Sequence, residues 1–341
     1  MGEPVRIAVM GCGAIASAVH VPVLRSLPNA RLIAIADPAP EARARASRIA
    51  PAATVLASAE ALLQRADVDA VVVTAPSGVH GALARAVVES GRHLYLEKPI
   101  ASSIAEGRQV VEGAAGKSVV TMTGFNWRFQ PLVARAKELV DDGIVGDLRE
   151  ITSVFSEPHE LPRWKTRRDE GGGVLLDLGS HHFDLTRWMT GAEVTSVTAV
   201  IRSEISEGDE ASVRLELSNG CLVSSFFSFR ADRGHWLELR GTRGSIRIDR
   251  YARSLTLDRV RARTLTPRIV AWRAMSLVRP RAEPSWRYAL GAWLAAIGGA
   301  PGELPTLQDG LRSLEIVAAA EGVASADDQR AFPSTSSPAR G

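Results

Sequence analysis

A short apolar run, Val5–Met10, ends directly on Gly11-Cys-Gly13-Ala14-Ile15-Ala16, and this junction constrains the fold of the 341-residue chain more than any other feature. The two glycines let the backbone turn sharply and come close to a ligand, and the small Ala16 lets the next helix pack tightly on the strand. A helix that opens here points unpaired N–H groups at the turn, a setting that favours a pyrophosphate. Asp37 ends a second apolar stretch, Arg31–Ala36, at the separation where a carboxylate accepts bonds from ribose hydroxyls. That carboxylate would repel a 2′-phosphate, and Pro38-Ala39-Pro40 offers no cation. NAD is therefore the expected cofactor, with Arg43 and Arg45 near enough to leave NADP open.

The first third of the chain keeps alternating between strand and helix patterns. Val68–Thr74, His93–Leu96 and Val119–Thr123 read as buried strands; Glu41–Ile49, Val79–Ser90 and Ser102–Ala115 read as helices. Repeated βα units predict a doubly wound parallel sheet, an α/β domain over residues 1–125. After Phe125 the pattern changes. Pro131–Asp142 reads as a helix stopped by Gly143, and Gly171-Gly172-Gly173 opens a helix running to Thr190. Alternating stretches follow over 194–249, with hairpin signals at Asn219-Gly220 and Thr242-Arg243-Gly244. Residues 126–330 are therefore expected to form an α+β domain with an open, mostly antiparallel sheet, ending in helices Trp286–Ile297 and Leu307–Glu321. The tail 331–341, rich in Ser and Pro, is expected to be disordered.

Composition narrows the function classes. Net charge is only +3, and no recognised module supports nucleic acid binding. No run is long enough to span a membrane, and Met1–Arg6 leaves no room for a signal peptide, so a cytoplasmic protein without a membrane partner is expected. Two cysteines are too few for a disulfide framework. Lysine occurs only at 98, 117, 137 and 165, so Lys98, in Glu97-Lys98-Pro99 just past a strand end, stands out. Unlike arginine, it can titrate.

Lys98 is placed where ligands bind in such sheets, and its ammonium can stabilise a developing alkoxide. Asp177 and His181, four apart on a helix, share a face, with Asp184 a further turn on as a structural residue. His181 is the candidate general acid/base because its ordinary pKa lies near neutrality; Asp177 orients Lys98 or a substrate hydroxyl. His182 points away by roughly 100°. Asp and His at this spacing could also ligate a metal, but no thiol cluster or second His pair supports one, and none is expected. Asn126 and Arg128, at the domain junction, are candidate substrate contacts.

With these residues in order, the chain resembles the Gfo/Idh/MocA oxidoreductases over nearly its whole length. The likeness rests on Gly11–Ala16, Asp37, Thr74-Ala-Pro76 with His80, Glu97-Lys98-Pro99, Arg128-Phe-Gln-Pro131, Gly143-Ile-Val-Gly146 and Gly171–Asp184. It implies a Rossmann domain followed by an open sheet domain, NAD(P) as cofactor, and a sugar, cyclitol or sugar derivative as substrate. It also implies that Gly11, Gly13, Ala14, Ile15, Asp37, Thr74, Pro76, His80, Glu97 and Lys98 contact the cofactor. Lys98, Asp177 and His181 are then catalytic, and a homodimer or homotetramer forms through the open sheet. Trp164-Lys165 resembles a Trp-Arg pair of the family with Lys in place of Arg, making Trp164 a further substrate candidate. Two rival readings keep the same residues: a redox-neutral lyase or glycosidase that retains NAD, and a non-catalytic NAD- or sugar-binding protein. The Arg-rich stretch 250–287 reads as a solvated, insertion-like loop, with the alternative that Arg263, Arg268 or Arg273 meets a phosphate or carboxylate on the substrate.

Overall fold

The computed structural model describes residues 3–158, 166–168, 171–278 and 283–328. Six parallel strands form the first sheet: β1 (Val5–Met10), β2 (Ala30–Ala36), β3 (Thr54–Leu56), β4 (Ala70–Val73), β5 (His93–Leu96) and β6 (Thr121–Thr123). Their order is β3-β2-β1-β4-β5-β6, so the sheet reverses its winding direction between β1 and β4. That crevice, beyond the carboxyl ends of the strands, is where doubly wound sheets bind ligands. β4 is buried along its whole length, because helices cover both faces of the sheet.

The second sheet contains β7 (Leu148–Ser156), β8 (Val194–Arg202), β9 (Glu210–Leu217), β10 (Leu222–Ser228), β11 (Gly234–Gly241), β12 (Ser245–Asp249) and β13 (Ser254–Asp258). The order is β13-β12-β11-β7-β10-β9-β8; only the β7–β10 pairing is parallel. Burial alternates cleanly along β9, with Ala211, Val213, Leu215 and Leu217 inward and Ser212, Arg214 and Glu216 outward. The inner face packs on helices Pro131–Asp141 and Ser180–Thr190, and among the described residues the other face is uncovered.

The fold class agrees with the sequence reading, and most boundaries differ by one or two residues. Five elements are corrections. β7, central in the second sheet, went unread because its outward positions, Glu150, Thr152 and Val154, blur the alternation. The β3 strand and the helix Ala59–Leu63 are too short to carry a period. The Arg-rich stretch is not a solvated loop: it holds β13 and a helix, Pro267–Val278, whose Ile269 and Trp272 enter the second core. Long arginine side chains hide such a stripe from a composition-based reading.

The last two helices also return to the parallel sheet. Ser285–Ile297 places Ala289, Leu290, Trp293 and Leu294 against β1 and β4 residues. Leu307 and Leu314 of the C-terminal helix join the other face of that sheet, while Ile316, Val317 and Ala320 join the second core. One helix thus belongs to both cores and ties the two sheets together. Both terminal helices therefore pack across the expected boundary at residues 125 and 126. The 331–341 tail lies outside the described residues.

Candidate active site

The glycine loop is shaped by contact with the β4 end. Gly11 has φ of +91°, and a Cβ there would sit 2.6 Å from the Ala75 nitrogen. Thr74 closes the same contact by donating its hydroxyl to the Gly11 carbonyl at 2.7 Å. Gly13 is different: a Cβ on it would meet no heavy atom of the described residues within 4 Å, so its bareness serves open space rather than packing. Beyond it Ala14 and Ile15 open the helical stretch, whose first N–H groups have no intrahelical partner. Asp37, ending β2, accepts the Cys12 N–H at 2.7 Å and the Ala39 N–H at 2.8 Å. Each carboxylate oxygen keeps capacity for another donor. The open glycine face, the helix start and this carboxylate fit the pyrophosphate and ribose of NAD.

Lys98 follows β5 and precedes a cis peptide bond to Pro99. Its Nζ donates to the Asp177 carbonyl at 2.9 Å and to Asp177 Oδ1 at 3.0 Å, joining the loop after β5 to a segment packed on the second core. Asp177 lies in a wide, π-type turn, Leu175–Gly179, which runs into the helix Ser180–Thr190. Such turns recur at functional sites. A Cβ on Gly171 would collide with Ser77 Oγ, so the triple glycine lets this segment close onto the loop after β4. His181 is buried between the edges of Phe125 and Trp127, each 6.1 Å away between ring centres. Burial, and then the Lys98 ammonium, hold its imidazole well below the usual 6.5, so the ring is neutral at pH 7.

Three expected contacts are already engaged by protein partners. His80 was expected at the cofactor, but it is 2% exposed, with Nδ1 2.6 Å from the Pro99 carbonyl and Nε2 2.7 Å from the Ala75 carbonyl. It braces the lysine loop against the glycine-loop side and has no ring nitrogen left for a ligand. Arg128 was expected at the substrate, but its guanidinium is clamped by Asp184, at 2.9 and 2.5 Å, with Asp309 at 3.2 Å. Asn126 is likewise buried and donates to Ser285 Oγ at 2.7 Å, anchoring the returning helix. These positions face the junction, as their place in the sequence suggested, yet they hold it together from within. Pro76 is exposed beside the glycine loop. Trp164 lies outside the described residues.

Two residues were missed. His20 Nε2 lies 2.7 Å from Glu97 Oε1, and Glu97 Oε2 accepts the Lys98 N–H at 3.2 Å, so Glu97 spans from the first helical segment to the lysine loop. Its signal was the position of His20 four residues after Ala16, on the inward stripe. Arg250, from the turn after β12, stacks 4.4 Å from the Trp127 ring and contributes to the lowering of the His181 pKa. No local pattern announced it. Among the described residues no cluster of three His, Cys, Asp or Glu side chains could hold a metal.

A dinucleotide crevice closed by a bridge from Lys98 to Asp177, on the helical segment against the second core, defines a nicotinamide-dependent oxidoreductase. Family models agree: "Oxidoreductase family, NAD-binding Rossmann fold" matches residues 5–125 and "GFO/IDH/MocA C-terminal domain" matches 133–247. The chain belongs to the Gfo/Idh/MocA family of NAD(P)-dependent oxidoreductases. It is 31% identical over 330 residues to inositol 2-dehydrogenase 2 of Saccharopolyspora erythraea, covering 92% of this chain and 91% of that one. It is 30% identical over 252 residues to inositol 2-dehydrogenase of Rhizobium meliloti, covering 71% of this chain and 74% of that one. In fold it is similar to the WlbA dehydrogenase of Bordetella pertussis, solved with NADH and UDP-GlcNAcA: TM-score 0.82, 22% identity, and 95% and 96% of the two chains covered.

Proposed function

We propose that the protein oxidises a secondary alcohol of a sugar, cyclitol or sugar derivative, or reduces the corresponding ketone, using NAD. The observation that carries this is the Lys98–Asp177 contact at 3.0 Å beside a neutral, buried His181. The sugar class is supported by the inositol dehydrogenases among its relatives. NAD, when bound, supplies the hydride acceptor or donor. Lys98 gives two of its three N–H groups to Asp177, leaving a third for the reacting oxygen and its developing charge. The neutral His181 ring accepts the hydroxyl proton during oxidation and returns it during reduction. Asp177 keeps the ammonium in place. Asp37 favours NAD over NADP by placing a negative charge where a 2′-phosphate would lie. The uncovered face of the second sheet supports a homodimer or homotetramer.

Replacing Lys98 by Met tests the reading. Turnover on a substrate found by screening free and nucleotide-linked sugars and inositols should fall about a thousand-fold, with NAD affinity changed by less than about threefold. Activity that survives this substitution would overturn the assignment. Substrate consumption without net NADH would instead point to the redox-neutral reaction.

A further inference from the structure

The helix Pro267–Val278 is apolar on both sides. Ile269, Trp272 and Ser276 form its buried stripe. At roughly 100° per residue, the opposite arc carries Val270, Ala274, Met275, Leu277 and Val278. Val270 is 54% exposed, Met275 39%, and Leu277 and Val278 83% each. An open groove lined by Leu265, Pro267, Val270 and Ala271 continues this surface. A helix with apolar residues on opposite faces normally has both faces covered.

The charge around it is one-sided. Residues 259–282 contain seven arginines and no acidic residue. On the helix, Arg268 and Arg273 stand at the two borders of the outward apolar arc. Among the described residues, neither they nor Arg261 and Arg263 form an ion pair with a carboxylate. Arg273 donates to the Arg253 carbonyl, Arg263 donates to the Leu265 carbonyl, and Arg268 lies over Tyr288. The neighbouring Glu138 and Glu283 are taken by Arg135 and Arg250. The family match to the second sheet ends at residue 247, before this segment begins.

A second copy fits this surface poorly, because a two-fold contact would set one arginine fringe against its own image. A bilayer surface bearing anionic lipid satisfies both features at once. Apolar side chains enter the boundary between headgroups and acyl chains, and the flanking guanidiniums meet lipid phosphates. We propose that the helix Pro267–Val278 is a peripheral docking site for anionic lipid bilayers. The sequence expectation of no membrane partner rests on the lack of a spanning segment, which has no bearing on a helix lying along the surface.

Co-sedimentation of the full chain with vesicles tests this. Phosphatidylglycerol–phosphatidylcholine vesicles should bind at least about tenfold more protein than pure phosphatidylcholine vesicles, with the excess lost at high salt. The double variant Val270→Gln/Leu277→Gln, altered only at exposed positions, should keep its melting temperature and lose at least about fivefold in binding. Equal binding to both vesicle types, or undiminished binding by the variant, overturns the proposal. A drop in the variant's oligomeric mass by sedimentation velocity also overturns it, in favour of a second copy.

Discussion

Gly11 and Gly13 sit two residues apart and are needed for different reasons. At Gly11 a side chain would strike the Ala75 backbone from a left-handed conformation, so Gly11→Ala should cost at least about 3 kcal/mol of stability. At Gly13 nothing among the described residues resists a methyl group. Gly13→Ala should leave the unfolding midpoint unchanged while weakening NAD binding at least about tenfold, through encroachment on the cofactor's space. Denaturation curves and NAD titrations on the two variants separate the effects; equal loss of stability in both would refute the distinction. The same logic applies to His80, whose two nitrogens face two carbonyl oxygens. A neutral ring has one N–H and can donate to only one of them, while burial lowers its pKa against the pull of both.

At the level of elements, the helix Ser180–Thr190 is polar inside and is held by pairing. Arg128 and Asp184 meet in a two-pronged bond at its centre, and Arg187 reaches Glu193 and Asp309. Burial still pushes Asp184 up to about 6. Breaking such a pair leaves an uncompensated charge. The helix also carries His182, which contacts Ser153 Oγ at 2.9 Å and His235 Nε2 at 3.1 Å beneath Phe155. Burial pushes His182 down to about 3, so the folded state needs it neutral. Its contribution is fully present above the unfolded value near 6.5 and is lost as pH falls below that value, by about 1.4 kcal/mol per pH unit until about pH 3. Asp184 works in the opposite sense below pH 6. Urea unfolding at pH 7.5 and 5 should therefore be compared between wild type and His182→Gln, which should lose less stability on acidification. An identical loss in both would mean that His182 does not titrate on unfolding.

At the scale of the whole molecule, the described residues leave one sheet face to be covered. Across it Phe226, Val154 and Trp236 stand directly opposite one another on β10, β7 and β11, and Arg247 stacks 4.1 Å from Trp236. This apolar row at the middle of the open face is the proposed contact between copies. Phe226→Asp should convert the oligomer to monomer by light scattering, without loss of the fold, because Phe226 lies on the outer side of the sheet. A wild-type chain that is already monomeric at micromolar concentration would sink the proposal. The same molecular view explains why Lys98 and Asp177 stay in register. The C-terminal helix packs into both cores, so the segments that supply the two residues are fastened together.

Much of this was written locally. The Gly11–Ala16 loop, Asp37 and the βα alternation sufficed for the parallel sheet, because close backbone approach and a two-faced core leave marks in consecutive residues. Lys98 and Asp177 were also legible, and the structure brings them within 3.0 Å. The tertiary structure alone decided which polar residues turn inward. Arg128, Asn126 and His80 looked available to a ligand, yet partners 56, 159 and 19 residues away occupy them. It also revealed Arg250 over Trp127, the central strand β7, and the buried stripe within the Arg-rich helix. A side chain's type sets what it can bond, but whether a partner from a distant segment already fills that capacity is settled only when the chain packs.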